Sequence, residues 1–126
     1  MKFLVVDDMA VMRKIIKKTL SSIGYEDITE ADDGTPAWET LQQMHSDGNP
    51  IEFIVSDWNM PQMTGLDLLK KVRADDRFKS LPFLMVTAEG EKGNVVLAVK
   101  AGVSNFIVKP FDAPTFQSKL EAILNK

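Results

Sequence analysis

Five short apolar runs alternate along the chain with stretches that carry apolar residues at helical spacing. The runs occupy residues 2–6, 27–31, 52–56, 82–86 and 104–108. Every connection between them is long enough for a helix, and parallel strands need connections of that length. Runs such as FLVV and FIVS are typical of a sheet that helices cover on both faces. The pattern therefore predicts an α/β fold: a three-layer, doubly wound, five-stranded parallel sheet with five helices.

The predicted helices follow from apolar residues at three- and four-residue steps. Thr35 is the expected N-cap of the second helix and Pro36 its first residue. We expect nearly all apolar and methionine side chains on the helices to lie in the core. They include Val11, Ile15, Val96 and Val99.

The composition is that of one globular domain, which we assign to residues 1–126. Hydrophobic residues make up 44% and charged residues 26% of the chain, as in ordinary soluble proteins. A net charge of -3 does not favour binding to nucleic acid or to an anionic membrane. Since no apolar run is long enough for a secretory signal or a membrane span, we expect a cytoplasmic protein. The chain has no cysteine, which excludes disulfides, thiolate metal sites and thiol catalysis.

Charged and polar residues follow the first, third, fourth and fifth predicted strands, whereas the second, which ends at Asp32 and Asp33, is expected to be an edge strand that contributes little. In an open parallel sheet, ligands bind beyond the carboxyl ends of the strands, so these residues are expected to converge on one edge. They are Asp7 and Asp8 after the first strand, Asp57 and Asn59 after the third, Thr87 and Glu89 after the fourth, and Lys109 after the fifth. Each motif alone also fits a helix cap or a turn, and the joint pattern favours a site.

Three ionised carboxylates at one edge repel each other. A pair about 4 Å apart costs roughly 1 kcal/mol in water and about 4 kcal/mol at an effective dielectric of 20. One lysine does not offset this repulsion, so a divalent cation is expected. Oxygen ligands favour Mg²⁺, with Mn²⁺ as a substitute, over zinc. With phosphate charge neutralised in this way, Asp57 could attack phosphorus to form an acyl phosphate, while Thr87 and Lys109 contact its oxygens.

Four motifs together resemble the receiver domain of two-component response regulators. They are VVDD, SDWNMPQMTGLDLL, VTAEG and NFIVKPF, and the resemblance covers essentially the whole chain. The DWNMP stretch is similar to that of the stand-alone receivers of chemotaxis. The resemblance implies the flavodoxin-like strand order 2-1-3-4-5.

The resemblance also implies a phosphorylation cycle at Asp57. A CheA-like sensor histidine kinase would supply the phosphoryl group, and a phosphatase is a further expected partner. Asp8, Asp57 and the Asn59 carbonyl would bind Mg²⁺, with Asp7 acting through water. Asn59 and Glu89 would tune self-dephosphorylation. In the family, the peptide bond at the position of Lys109-Pro110 is cis.

A switch surface comes with the same resemblance. Thr87, Lys109 and an aromatic residue, here Phe106, would change a protein-binding surface on phosphorylation. The flagellar motor switch protein is the expected target, and the receiver is expected to be monomeric. Many chemotaxis members have tyrosine where this chain has Phe106, so partner contact must rely on ring packing.

Two other functions are compatible with parts of the pattern. A phosphatase of the haloacid dehalogenase type also uses an aspartate nucleophile, but it has an acidic residue two positions later, where this chain has Asn59. The receiver could alternatively belong to another two-component pathway or come from a longer regulator.

Overall fold

The computed structural model describes residues 1–88 and 92–125, and within them five strands form one parallel sheet. The order is β2-β1-β3-β4-β5, as expected. All four neighbouring pairs are parallel. The strands are β1 (Phe3–Val6), β2 (Ile28–Ala31), β3 (Phe53–Asp57), β4 (Phe83–Ala88) and β5 (Asn105–Lys109).

Helices connect the strands and cover both faces of the sheet. They are α1 (Ala10–Ser22), α2 (Gly34–Ser46), α3 (Gly65–Ala74), α4 (Lys92–Lys100) and α5 (Ala113–Leu124). No helix in the described part of the chain combines the length and the apolar character needed to cross a bilayer.

The sheet separates two apolar cores because alternate residues of each strand point to opposite faces. On one face Leu4, Val6 and Ile54 pack with side chains of α2, α3 and α4. On the other, Phe3 and Val5 pack with side chains of α1 and α5. Since β1 and β3 are apolar on both faces, they occupy the buried interior of the sheet, and their carboxyl ends can hold side chains away from water.

Helix α2 begins earlier than the sequence predicts. Its N-cap is Asp33, whose carboxylate accepts a hydrogen bond from the Thr35 backbone N–H at 3.3 Å, and the helix starts at Gly34. The prediction of Thr35 as N-cap was therefore wrong. Aspartate caps a helix at least as well as threonine, and Pro36 is tolerated because it still lies within the first turn.

Several apolar helix residues are exposed, contrary to the expectation that nearly all would be in the core. Val11 is 68% exposed, Val96 54% and Val99 61%. A helix on a sheet buries one stripe of its surface. In α4 that stripe contains Ala98, which is 1% exposed, so its neighbours along the chain point away from the sheet.

Three strands extend further toward the carboxyl end than predicted, and each carries a candidate residue as its last or next-to-last residue. Asp57 pairs in register with Val86, and Thr87 pairs with Val108. Lys109 is the last residue of β5. These three side chains are therefore fixed by regular strand backbone rather than by loops.

Gly65 lies where the start of α3 meets the end of β3, and we predict that Gly65→Ala destabilises the fold. An added Cβ would meet the Asp57 carbonyl oxygen and would lie 2.9 Å from Met85 Sδ. Overpacking of this kind costs about 1–3 kcal/mol, which urea unfolding would measure. Gly93→Ala is the matched control because nothing lies within 4 Å of its added Cβ. An equal effect of both substitutions would contradict the close approach.

Candidate functional site

Three aspartates meet at the carboxyl edge of the two central strands. One carboxylate oxygen from each of Asp7, Asp8 and Asp57 lies within 4.8 Å of the others. Asp7 directly follows β1 and Asp57 ends β3, and these strands are neighbours in register up to Val6 and Ser56. Asp7 is 0% exposed and Asp57 5%, whereas Asp8 is exposed. The topology thus concentrates two buried carboxylates and one exposed one.

Lys109 reaches this cluster from β5. Its Nζ lies 2.9 Å from Asp57 Oδ1 and 3.5 Å from Asp7 Oδ2. Burial lowers the pKa of Lys109, but the hydrogen bond and the charge of Asp57, together with Asp7, outweigh burial and raise that pKa. The lysine is therefore held in its charged form. One ammonium against three carboxylates leaves the site with excess negative charge.

The two buried carboxyls resist ionisation. Burial raises the pKa of Asp7, and its hydrogen bond from the Met9 N–H only partly opposes this effect. Burial also raises the pKa of Asp57, against the opposing influence of Lys109. A carboxyl whose folded pKa lies above its unfolded value favours folding when protonated, and this contribution is lost as the pH rises from the ordinary value of 3.8 through the raised pKa of the folded state. At neutral pH the ionised Asp7 and Asp57 carboxylates of the metal-free site therefore cost stability.

The donor set fits a hard divalent cation. Asp7 Oδ1 accepts the Met9 N–H at 2.9 Å. Its other oxygen, Oδ2, is buried and has no hydrogen-bond partner among the described residues, although Lys109 is within ion-pair distance. Carboxylate oxygens without full hydrogen bonding are suitable ligands for Mg²⁺ or Mn²⁺.

Thr87 presents a second unsatisfied group. It lies near the end of β4, is 2% exposed, and its hydroxyl has no hydrogen-bond partner in the described part of the chain. A buried hydroxyl without a partner is costly. Thr87 is on the strand next to Asp57, so its hydroxyl is available near the carboxyl edge for an acceptor that arrives with a ligand.

Comparison with known proteins identifies the family. The family described as response regulator receiver domain matches residues 3–121. This chain is a receiver domain.

Named relatives support the assignment over the whole chain. The Helicobacter pylori J99 protein Chemotaxis protein CheY1 is 55% identical over 125 residues, covering 98% of this chain and 97% of the relative. Chemotaxis protein CheY of Pseudomonas aeruginosa is 51% identical over 126 residues, covering 100% and 98%. Among solved structures, Vibrio cholerae CheY4 matches with a TM-score of 0.84 at 34% identity, covering 97% of each chain. The chain is thus a CheY-like receiver, and it is not a classical enzyme.

Asp33 binds a site loop of the receiver, a role that sequence reasoning missed. The loop comprises residues 58–64, between β3 and α3. Asp33 accepts backbone hydrogen bonds from Gln62 at 3.0 Å and Met63 at 2.8 Å. Burial raises the pKa of Asp33, but these amides, with those of Thr35 and Gly34, outweigh burial and lower it. Its position just before a glycine and a helical pattern could have indicated an N-cap, but nothing in the sequence indicated the loop.

The remaining predicted site residues are placed as follows. Asn59 lies in loop 58–64 and is exposed, and Glu89 lies outside the described residues. Phe106 is a half-buried residue of β5, with Lys119 Nζ 5.2 Å from its ring centre. The Lys109-Pro110 bond is cis, as expected. The roles of all these residues in the receiver stay predictions.

We expect Asp8→Ala to raise the melting temperature of the metal-free receiver. The substitution removes a charge that raises the pKa of both Asp7 and Asp57 and, because Asp8 is exposed, it sacrifices little packing. An increase of about 1–4 °C corresponds to less than about 1 kcal/mol for a domain of this size. Differential scanning calorimetry in EDTA would measure it.

Asp76→Ala is the control because that side chain is 96% exposed and lies outside the acidic cluster. Excess Mg²⁺ should stabilise the wild-type receiver more than the Asp8→Ala variant, which lacks one candidate ligand. An unchanged metal-free melting temperature in Asp8→Ala would argue against repulsion within the cluster.

Proposed function

We propose that this CheY-like receiver is a phospho-accepting switch of chemotaxis, with Asp57 as the acceptor. The observation that carries the proposal is the nearly buried Asp57 carboxylate, 2.9 Å from Lys109 Nζ and clustered with Asp7 and Asp8. A carboxylate in this position is a nucleophile, and the Lys109 ammonium beside it is a cation that can bind the oxygens of an arriving phosphoryl group. The chemotaxis role is supported by the CheY proteins that are about 50% identical over the whole chain.

The proposed donor is phosphohistidine on a CheA-like sensor kinase. An oxygen of Asp57 attacks phosphorus, the bond from phosphorus to the imidazole nitrogen breaks, and the imidazole leaves as a good neutral group after taking up a proton. The product is an aspartyl phosphate. Bound Mg²⁺, held directly by Asp8, Asp57 and the Asn59 carbonyl and through water by Asp7, would neutralise phosphoryl charge.

Lys109 and Thr87 would stabilise the phosphorylated state. Formation of the acyl phosphate removes the carboxylate charge of Asp57 and leaves the negative charge on the phosphoryl oxygens, so the Lys109 ammonium can transfer its hydrogen bond to one of them. The Thr87 hydroxyl can donate to another, which would satisfy a group that has no partner in the described structure. Lys109 is thus in contact with Asp57 before the phosphoryl group arrives, which lowers the cost of reorganisation, whereas Thr87 would still shift toward that group.

The output would be a changed protein-binding surface. A shift of Thr87 toward the phosphoryl group would be felt in β5, which pairs with β4 and carries Phe106. We propose the flagellar motor switch as the target, and a monomeric, cytoplasmic receiver. A phosphatase, together with the side chains at Asn59 and Glu89, would set the lifetime of the acyl phosphate. The receiver would gain one phosphoryl group per molecule rather than turn over substrate.

Incubation with acetyl phosphate and Mg²⁺ should add one phosphoryl group to the wild-type receiver, at Asp57. Asp57→Asn should abolish the adduct, because an amide is not a nucleophile of comparable strength. Intact-mass spectrometry followed by peptide mapping would measure both. Asp76→Asn changes an exposed aspartate and should label like the wild type. Stoichiometric labelling of Asp57→Asn at another residue would refute Asp57 as the acceptor.

Trp58 should report Mg²⁺ binding by a change in fluorescence. It directly follows Asp57 and is 8% exposed. Mg²⁺ that neutralises the Asp57 carboxylate should therefore change the environment of the Trp58 indole ring. Trp38 lies on α2, edge-on to Phe78, and supplies a constant background. Titration of Trp58→Phe with Mg²⁺ should show no signal, and titration of Trp38→Phe should show the full one. Retention of the signal in Trp58→Phe would contradict the assignment.

A further inference from the structure

Loop 58–64 is held at three places. At its start, Trp58 N–H donates to the Val86 carbonyl at 2.9 Å, and at its end Gly65 N–H donates to the Trp58 carbonyl at 3.0 Å. Between these points, the only hydrogen bonds from its backbone N–H groups to another part of the described chain go to Asp33. Asn59 therefore lies between a strand anchor and the Asp33 anchor.

Burial and hydrogen bonds fix the Asp33 carboxylate in this position. It is 5% exposed, and its two oxygens are divided between the loop and its own helix. Oδ2 accepts from Gln62 N–H, while Oδ1 accepts from both Met63 N–H and Thr35 N–H. Hydrogen bonds to an ionised acceptor are about twice as strong as neutral ones. A neutral cap such as serine could satisfy α2 but not both loop amides.

Gly34 brings the two backbones together beside this carboxylate. Its N–H donates to the Met63 carbonyl at 3.3 Å, and a Cβ at this position would lie 2.6 Å from the same oxygen. We call Asp33 and Gly34, with the loop groups they bind, the β2–α2 clasp. The clasp leaves no space for a side chain at position 34, so its geometry depends on glycine as well as on aspartate.

The clasp adjoins the acidic cluster. A cleft of about 410 Å³ is lined by Asp8 together with Asp33 and Gln62. A displacement of Gln62, which is three residues from Asn59, therefore changes a cleft that the candidate metal ligand Asp8 also lines. We propose that Asp33 is a positioning residue of the metal site, holding loop 58–64 so that the Asn59 main chain is preset for the cation. This inference rests on the proposed Mg²⁺ site.

Asp33→Ser tests the inference because serine keeps the α2 cap and loses the two loop bonds. In the metal-free receiver, the amide protons of Gln62 and Met63 should exchange at least about tenfold faster than in the wild type, since local opening becomes easier. Isothermal titration calorimetry should show Mg²⁺ affinity lowered about tenfold, the size typical of lost support around a metal ligand. Circular dichroism would verify that α2 remains folded.

Removal of a negative charge also weakens cation binding. Two further variants therefore distinguish the effect of the lost charge from the effect of a displaced loop 58–64. Asp32→Ser removes the neighbouring exposed carboxylate, which accepts no hydrogen bond from loop 58–64, and it should retain most of the affinity and the slow amide exchange. Gly34→Ala changes no charge but pushes against the Met63 carbonyl. It should accelerate exchange and weaken Mg²⁺ binding in the same direction as Asp33→Ser.

The outcomes are distinguishable. Equal losses of affinity in Asp32→Ser and Asp33→Ser, with full affinity in Gly34→Ala, would overturn the positioning role and leave only an effect of charge. Unchanged affinity in Asp33→Ser would overturn it as well. Absence of Mg²⁺ binding in the wild-type receiver would instead refute the metal site of the proposed function, whereas the predicted change in amide exchange would still test the clasp.

Discussion

The ion pair between Lys109 and Asp57 is the interaction on which the site depends. Two carboxylates, Asp7 and Asp57, are buried at the sheet edge, and the lysine is the cation placed within ion-pair distance of both. Burial of charge is tolerated only when it is paired. A single ammonium compensates only part of this charge, so the site can accept further positive charge. Lys109 can also exchange one of its carboxylate partners for another anionic group.

Because the carboxylates of the site repel each other, the backbone around them has to be held by regular structure. Asp57 is fixed by strand pairing with Val86. Because Gly65 has no side chain, the start of α3 packs directly against the Asp57 carbonyl. The unsatisfied Thr87 hydroxyl is held on the adjoining strand. Repulsion between carboxylates would otherwise be relieved by movement of the backbone. A stable apolar core on both faces of β1 and β3 is what allows the edge of the sheet to remain electrostatically unfavourable.

Most of the fold could be predicted from sequence because it follows from local periodicity and topology. Apolar runs gave the strands, and the rule for parallel sheets placed Asp7, Asp57 and Lys109 at one edge without any knowledge of distances. The clasp could not be predicted, since Asp33 meets Gln62 and Met63 across 29 and 30 residues of sequence, through contacts between two loops. Periodicity has no information about such contacts.

The apolar surface of α4 shows a second limit of the same kind. Ala98 is buried, whereas Val99 next to it is 61% exposed. Because α4 is apolar on most of its circumference, its sequence does not indicate which stripe faces the sheet.

Strand β5 carries both Lys109 of the site and the aromatic ring of Phe106. Thr87 pairs in register with Val108, and Met85 pairs with Phe106, so a displacement at the end of β4 acts on the strand that carries the aromatic ring. Lys119 lies 5.2 Å from the centre of that ring, and such a cation–π contact contributes about 0.5–1 kcal/mol where it is exposed. A net hydrogen bond contributes a similar amount, about 0.5–1.5 kcal/mol. Under the proposed function, Lys119 would therefore favour the described position of Phe106 by about as much as one hydrogen bond to a tyrosine hydroxyl would.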